Sequence, residues 1–168
     1  MTSWDDRVAE FWDTADDADP AVVDRMRELV AERPADDPAA LFEWASVLDF
    51  VGREDEAVAQ YRAALAAGLD GDRMPQAVVQ LASSLRNIGR ADEGIELLWA
   101  LGDETVAGAA VHAFLALCLR DAGRPDEAFA VALRALAPTL PMYGRSIAAY
   151  ADELDGRASG PGPGPGPA

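Results

Sequence analysis

His112 and Cys118 are the only histidine and the only cysteine in this 168-residue chain, and they are its first candidates for acid–base or nucleophilic chemistry. A catalytic histidine needs an orienting carboxylate and a nucleophile converging on it, and a metal site needs several ligands. No second member of either constellation is readable near His112, whose place in an apolar-periodic segment predicts a packing role. Cys118 stands among Ala116, Leu117 and Leu119, which predicts a buried small hydrophobe. A single cysteine can form neither an intramolecular disulfide nor a cysteine-based metal centre. The carboxylates Asp13, Asp16, Asp17 and Asp19 lack the turn glycine and closing glutamate of a calcium loop, so they read as a solvated linker. The terminal glycines alternate with prolines and follow no strand, which excludes a phosphate-binding loop. The sequence therefore predicts no catalytic residue, no cofactor and no metal, and it points to binding rather than catalysis.

Charge narrows what could be bound. Thirty acidic residues stand against fourteen basic ones, a formal charge of −16, and every basic residue is an arginine. Nucleic acid and anionic membrane surfaces both demand clustered positive charge, so neither is an expected partner. The natural complement is another protein or peptide, a basic one, although a high net charge also serves solubility alone. Residues 1–6 carry no positive start and no apolar stretch of signal-peptide length, and no apolar run approaches the roughly 18 residues of a membrane span. The expectation is a cytoplasmic protein in a reducing compartment. The preference for Ala, Arg, Gly, Pro and Asp suggests a GC-rich bacterial genome.

The elements that would carry a binding surface are written as a repeat. The string Gly-Arg-X-Asp-Glu begins at Gly52, Gly89 and Gly123, spaced 37 and 34 positions apart. Each glycine closes an apolar-periodic segment: Leu41, Trp44, Ala45 and Leu48 precede the first, Leu81, Ala82 and Leu85 the second, Leu115, Ala116 and Leu119 the third. After each glycine the acidic pair falls in the first turn of a following helix, where it complements the exposed N–H groups. The glycine supplies the left-handed turn. Five positions beyond it stand Ala57, Gly94 and Ala128, small enough to let paired helices approach closely. Alanine and leucine dominate and β-branched residues are thin, which makes the fold class all-α.

These features resemble the tetratricopeptide repeat, whose period is 34 residues. The resemblance covers residues 38–139, divided at about 38–74, 75–108 and 109–139. The stretch Gln80-Leu81-Ala82-Ser83-Ser84-Leu85-Arg86-Asn87 is similar to one shared by a bacterial group of such proteins without an assigned role. The family pattern departs at Leu41, Val78 and His112, where tryptophan is common, and the usual closing proline stands at Pro138. The resemblance implies a right-handed superhelical stack of helix-turn-helix hairpins. Residues 1–37 would form N-terminal capping helices, one capped by Ser3 with Trp4, Val8, Phe11 and Trp12 on one face, the next starting at Asp19-Pro20. Pro141 would open a C-terminal capping helix over 140–155, and the Gly/Pro-rich residues 156–168 would be disordered.

In such stacks the first helices of successive hairpins line a concave face. The resemblance places Phe42, Ser46, Asp49 and Phe50 there from the first repeat, Val79, Ser83, Arg86 and Asn87 from the second, and Ala113, Leu117, Arg120 and Asp121 from the third. Phe42, Phe50, Val79 and Leu117 would hold apolar anchors. Arg86 and Arg120 would either fork onto a partner's carboxylates or pair internally with Asp49 and Asp121. Some relatives clamp a C-terminal carboxylate with basic and asparagine side chains; Phe42, Ser46, Gln80, Ala110 and Phe114 occupy those positions here, so that clamp is absent. The expected function is a protein-interaction module that takes a peptide or helix in its groove. The alternative is an acidic regulator that mimics nucleic acid through its N-terminal carboxylates.

Overall fold

The computed structural model describes residues 2–102 and 106–156. Its regular structure is helical: α1 (Trp4–Thr14), α2 (Val22–Val30), α3 (Pro38–Phe50), α4 (Glu54–Ala66), α5 (Arg73–Asn87), α6 (Ala91–Leu101), α7 (Ala109–Asp121), α8 (Pro125–Leu136) and α9 (Gly144–Leu154), with a 3-10 turn at Ala137–Thr139. Among the described residues no helix is long and apolar enough to cross a membrane.

Helices α3, α5 and α7 end at the same kind of joint. Gly52, Gly89 and Gly123 adopt φ of 74°, 79° and 77°, a region costly for any residue with a Cβ. The amide of each following arginine donates back across the turn, from Arg53 to the Leu48 carbonyl at 2.8 Å, from Arg90 to Leu85 at 2.8 Å and from Arg124 to Leu119 at 2.9 Å. This bond satisfies a carbonyl that the helix end would leave orphaned. The repeated arginine has a second task that the helix-dipole argument did not include. Its guanidinium forks onto the glutamate three residues on: Arg53 onto Glu56 through two bonds of 2.7 Å, and likewise Arg90 onto Glu93 and Arg124 onto Glu127. The five-residue string is thus a turn with its own side-chain latch.

The three joints make hairpins of α3 with α4, α5 with α6 and α7 with α8, and these stack so that α3, α5 and α7 are neighbours. Apolar faces meet in continuous clusters. Ala45, Leu48, Tyr61, Leu81 and Leu85 are enclosed between α3, α4 and α5, and Leu98, Val111, Cys118 and Leu119 between α6 and α7. Ala57, Gly94 and Ala128 are all buried, and at Gly94 an added Cβ would lie 3.0 Å from the Ala82 carbonyl oxygen of the paired helix.

The N-terminal pair continues the stack. Ser3 and Asp6 close a capping box, each backbone amide donating to the other's side chain. Trp4 and Val8 of α1 lie on Ala40, while Phe11 joins Val22, Met26 and Val47. The second helix starts later than its Asp19-Pro20 signal, at Val22, because the Asp19 carboxylate accepts from the Ala21 amide at 2.9 Å and forms a turn first. The last helix also starts late, at Gly144 rather than Pro141. A Cβ on Gly144 would lie 2.5 Å from the Ala137 carbonyl oxygen, so the chain enters α9 where it has no side chain. Tyr143, at φ 68°, turns it in. The expectation for the Gly/Pro tail lies, from residue 157 on, outside the described residues.

Candidate protein-docking groove

A cavity of about 570 Å³ opens between α1, α3 and the start of α5. On the α3 side it is lined by Phe42, Ser46, Asp49 and Phe50, and α1 adds Asp5, Val8, Ala9 and Trp12. Phe50 is 39% exposed and meets the Trp12 ring edge-on, centroids 5.7 Å apart at 84°. Edge-to-face contact is one of the preferred geometries of aromatic pairs, and it fixes the half-exposed Phe50 ring at the cavity rim.

Polar side chains tie the helices of this surface together one repeat apart. Gln80 Oε1 of α5 accepts from the Tyr61 hydroxyl at 2.8 Å and lies 3.1 Å from Ser46 Oγ of α3. Ser84 Oγ lies 2.8 Å from Asp49 Oδ1, and Arg86 Nη1 donates to Asp121 Oδ2 of α7 at 2.9 Å. The Ser46–Gln80, Asp49–Ser84 and Arg86–Asp121 contacts join residues 34 or 35 positions apart, so they fix the register of successive helices. Burial pushes the Tyr61 phenol far above its ordinary range, which keeps it a proton donor to Gln80. Burial also raises the Asp49 carboxyl, against the Ser84 bond that lowers it, and nearby Glu54 raises it further.

The sequence-derived groove set divides under this geometry. Phe50, Leu117 and Ala113 are exposed, and Asp49 lines the cavity. Asn87 is exposed and its amide reaches Glu54 at 3.4 Å. Ser46 is buried in the Gln80 contact, and Ser83 is half-buried while the adjacent Ser84 makes the bond to Asp49. Phe42 and Val79 correct the reading of them as free apolar anchors. Phe42 is 4% exposed and tilted against Tyr61, and Val79 is 6% exposed in the core cluster of the second hairpin. The reason is that α3 and α5 each have packed neighbours on several sides, so their apolar faces are wider than a single-sided stripe. Arg86 and Arg120 both pair with Asp121, the second through a contact of 3.0 Å, and Asp49 takes a serine instead of an arginine.

Sequence reasoning missed the contribution of α1. Trp12 Nε1 donates to Glu43 Oε2 at 2.8 Å, Arg73 Nε donates to Glu43 Oε1 at 3.1 Å, and Arg73 Nη2 reaches Asp5 at 2.7 Å. Glu43 is 4% exposed, and burial raises its carboxyl above the usual glutamate range despite the two donors. A glutamate between Phe42 and Trp44 in an apolar run was the available signal, since a buried carboxylate requires donors from elsewhere in the fold. His112 is half-buried at a second cavity of about 580 Å³, bordered by α6, α7, α8 and Asp155. Cys118 is fully buried, and desolvation raises its thiol, which opposes nucleophilic use. Among the described residues no group of three or more histidine, cysteine, aspartate or glutamate side chains is placed to hold a metal ion.

Helical hairpins stacked in register, with the first helices of successive hairpins in contact, define a helical-repeat protein. The model of the tetratrico peptide repeat family matches residues 38–154, and the chain belongs to that family. The match runs past the three hairpins and takes in α9. Membership makes the protein, in general terms, a protein–protein interaction scaffold of a kind that typically lacks catalytic activity. No curated protein and no solved structure matches the chain.

Proposed function

We propose that the protein is an adaptor that binds a peptide or helix of a partner protein in the groove formed by α1, α3, α5 and α7. The observation that carries this reading is the exposed Phe50 ring, held edge-on by Trp12 beside an open cavity. Aromatic side chains fixed in a concave surface are the kind of anchor that dominates binding energy. Leu117 and the Arg86–Asp121–Arg120 cluster extend the same surface along α5 and α7. In this reading α1 and α2 close one end of the stack and α9 the other. The charge of −16 supports a basic partner, and a lone buried thiol is compatible with a bacterial cytoplasm.

Affinity capture with the intact protein and with Phe50→Ala tests the reading. A partner retained by the intact protein and lost by a folded Phe50→Ala variant supports it. Should Phe50→Ala keep full affinity while neutralising Asp13, Asp16, Asp17 and Asp19 abolishes it, the acidic-mimic function replaces it. Salt separates the two as well, because purely charge-driven binding weakens steeply with ionic strength.

A further inference from the structure

We infer that the α1–α3–α5 end of the groove is a receptor for an arginine side chain of the partner, its guanidinium paired with Asp49 and packed on the exposed part of the Phe50 ring. The inference rests on the groove being the binding surface and adds which residue of the partner enters it and at which end.

Four carboxylates, from Asp5, Glu43, Asp49 and Asp72, line this cavity, and Arg73 is its one lining cation. Asp5 and Glu43 both bind Arg73 and are thereby compensated. Asp49 and Asp72 pair with no arginine among the described residues. Asp49 is the one beside the aromatic pair, and its Oδ1 is already held by Ser84 at 2.8 Å. A carboxylate oriented by one bond, partly desolvated and lacking a counter-charge, gains more from an arriving cation than a solvated surface aspartate does. Glu54 adds negative potential nearby.

The chemistry favours arginine over lysine. A guanidinium is planar and weakly hydrated, so it can lie on the Phe50 ring while its N–H groups reach the carboxylate; an ammonium keeps its hydration and cannot stack. Between α5 and α7 the balance of side-chain charge is reversed. There Arg86 and Arg120 share the single carboxylate of Asp121. A partner's positive residue is therefore drawn to the Asp49 end and turned away from the Asp121 end, which sets the direction in which the segment lies.

Selection of a random dodecamer phage-display library on the full chain supplies the probe. The enriched peptide is then synthesised with its arginine, with lysine and with glutamine at that position, and affinities are read by fluorescence anisotropy at physiological ionic strength. The expected result is enrichment of arginine, a loss of about tenfold for the glutamine peptide and a smaller loss for the lysine peptide. Asp49→Asn keeps the acceptor for Ser84 and should weaken the arginine peptide about tenfold while leaving the glutamine peptide unchanged. The peptide substitutions act on unaltered protein, so they decide the matter even where Asp49→Asn reduces stability. Enriched peptides that lack arginine yet lose affinity with Phe50→Ala would overturn the arginine receptor and leave the groove reading intact. No enrichment, or peptides indifferent to both Phe50→Ala and Asp49→Asn, would overturn both.

Discussion

Replacing Gly94 by alanine separates this packing account from a reading of helices by propensity alone. At an open helical site the change stabilises by about 1 kcal/mol, because glycine is the more flexible residue when unfolded. Gly94 is not open. A Cβ there would lie 3.0 Å from the Ala82 carbonyl oxygen and 3.0 Å from Cys118 Sγ. Both distances are shorter than the roughly 3.5–4.0 Å at which non-bonded carbon atoms attract. One neighbour is backbone of α5 and the other a fully buried side chain of α7, so relief requires a helix to shift. Overpacking of this kind costs about 1–3 kcal/mol, which outweighs the propensity gain and leaves a net loss of about 1 kcal/mol. Urea unfolding followed by far-UV circular dichroism, under reducing conditions, reads the difference. Cys118→Ala removes one of the two obstacles, so the alanine at 94 should cost less in that background, with a coupling of about 0.5–1 kcal/mol. Stabilisation of about 1 kcal/mol by Gly94→Ala, with no coupling to position 118, would refute the close approach of α6 to α5 and α7.

Ala57→Leu should cost about 1–3 kcal/mol by overpacking a fully buried site, whereas Arg62→Lys, in an exposed ion pair with Glu93, should stay within about 0.5 kcal/mol; thermal melts compare them. Trp12→Phe keeps a ring against Phe50 but removes the donor to the buried Glu43, and should lower stability by about 1.5–3 kcal/mol in urea titrations. Glu43 has a raised carboxyl in the folded protein, so the folded state holds its proton to higher pH than the unfolded chain does. Its contribution to stability therefore declines as pH rises from the ordinary glutamate range through the raised value, and levels off above it. Glu43→Gln cannot ionise, so urea midpoints measured between about pH 4 and 7 should fall less with rising pH than those of the unaltered protein.

The hairpins were legible because their signals are local. Gly52, Gly89 and Gly123 announce a backbone conformation that few other residues adopt, and the acidic pair after each announces a helix start. The small residues at 57, 94 and 128 declared close helix approach, though only the structure shows that the glycine meets both α5 and α7. The groove was less legible because it depends on which helices flank each face. Phe42 and Phe50 are both aromatic residues of α3, eight positions apart, yet one is buried against Tyr61 and the other is open beside Trp12. Spacing alone could not separate them, since the difference arises from neighbours distant in sequence. Trp12 itself read as part of a packing face, yet it lines the cavity and bonds to Glu43, 31 residues away. The arginine latches were within reach of sequence, since Arg53, Arg90 and Arg124 each precede a glutamate by three positions.

Site-directed photo-crosslinking in living cells tests the proposed groove as the docking site most directly. A photoreactive phenylalanine analogue is placed at Phe50, in the groove, or at Phe129, which is exposed on α8, a second helix of its hairpin. The account predicts a discrete protein adduct from position 50 and none from position 129. An adduct from position 129 alone would contradict it and move the binding surface to α8.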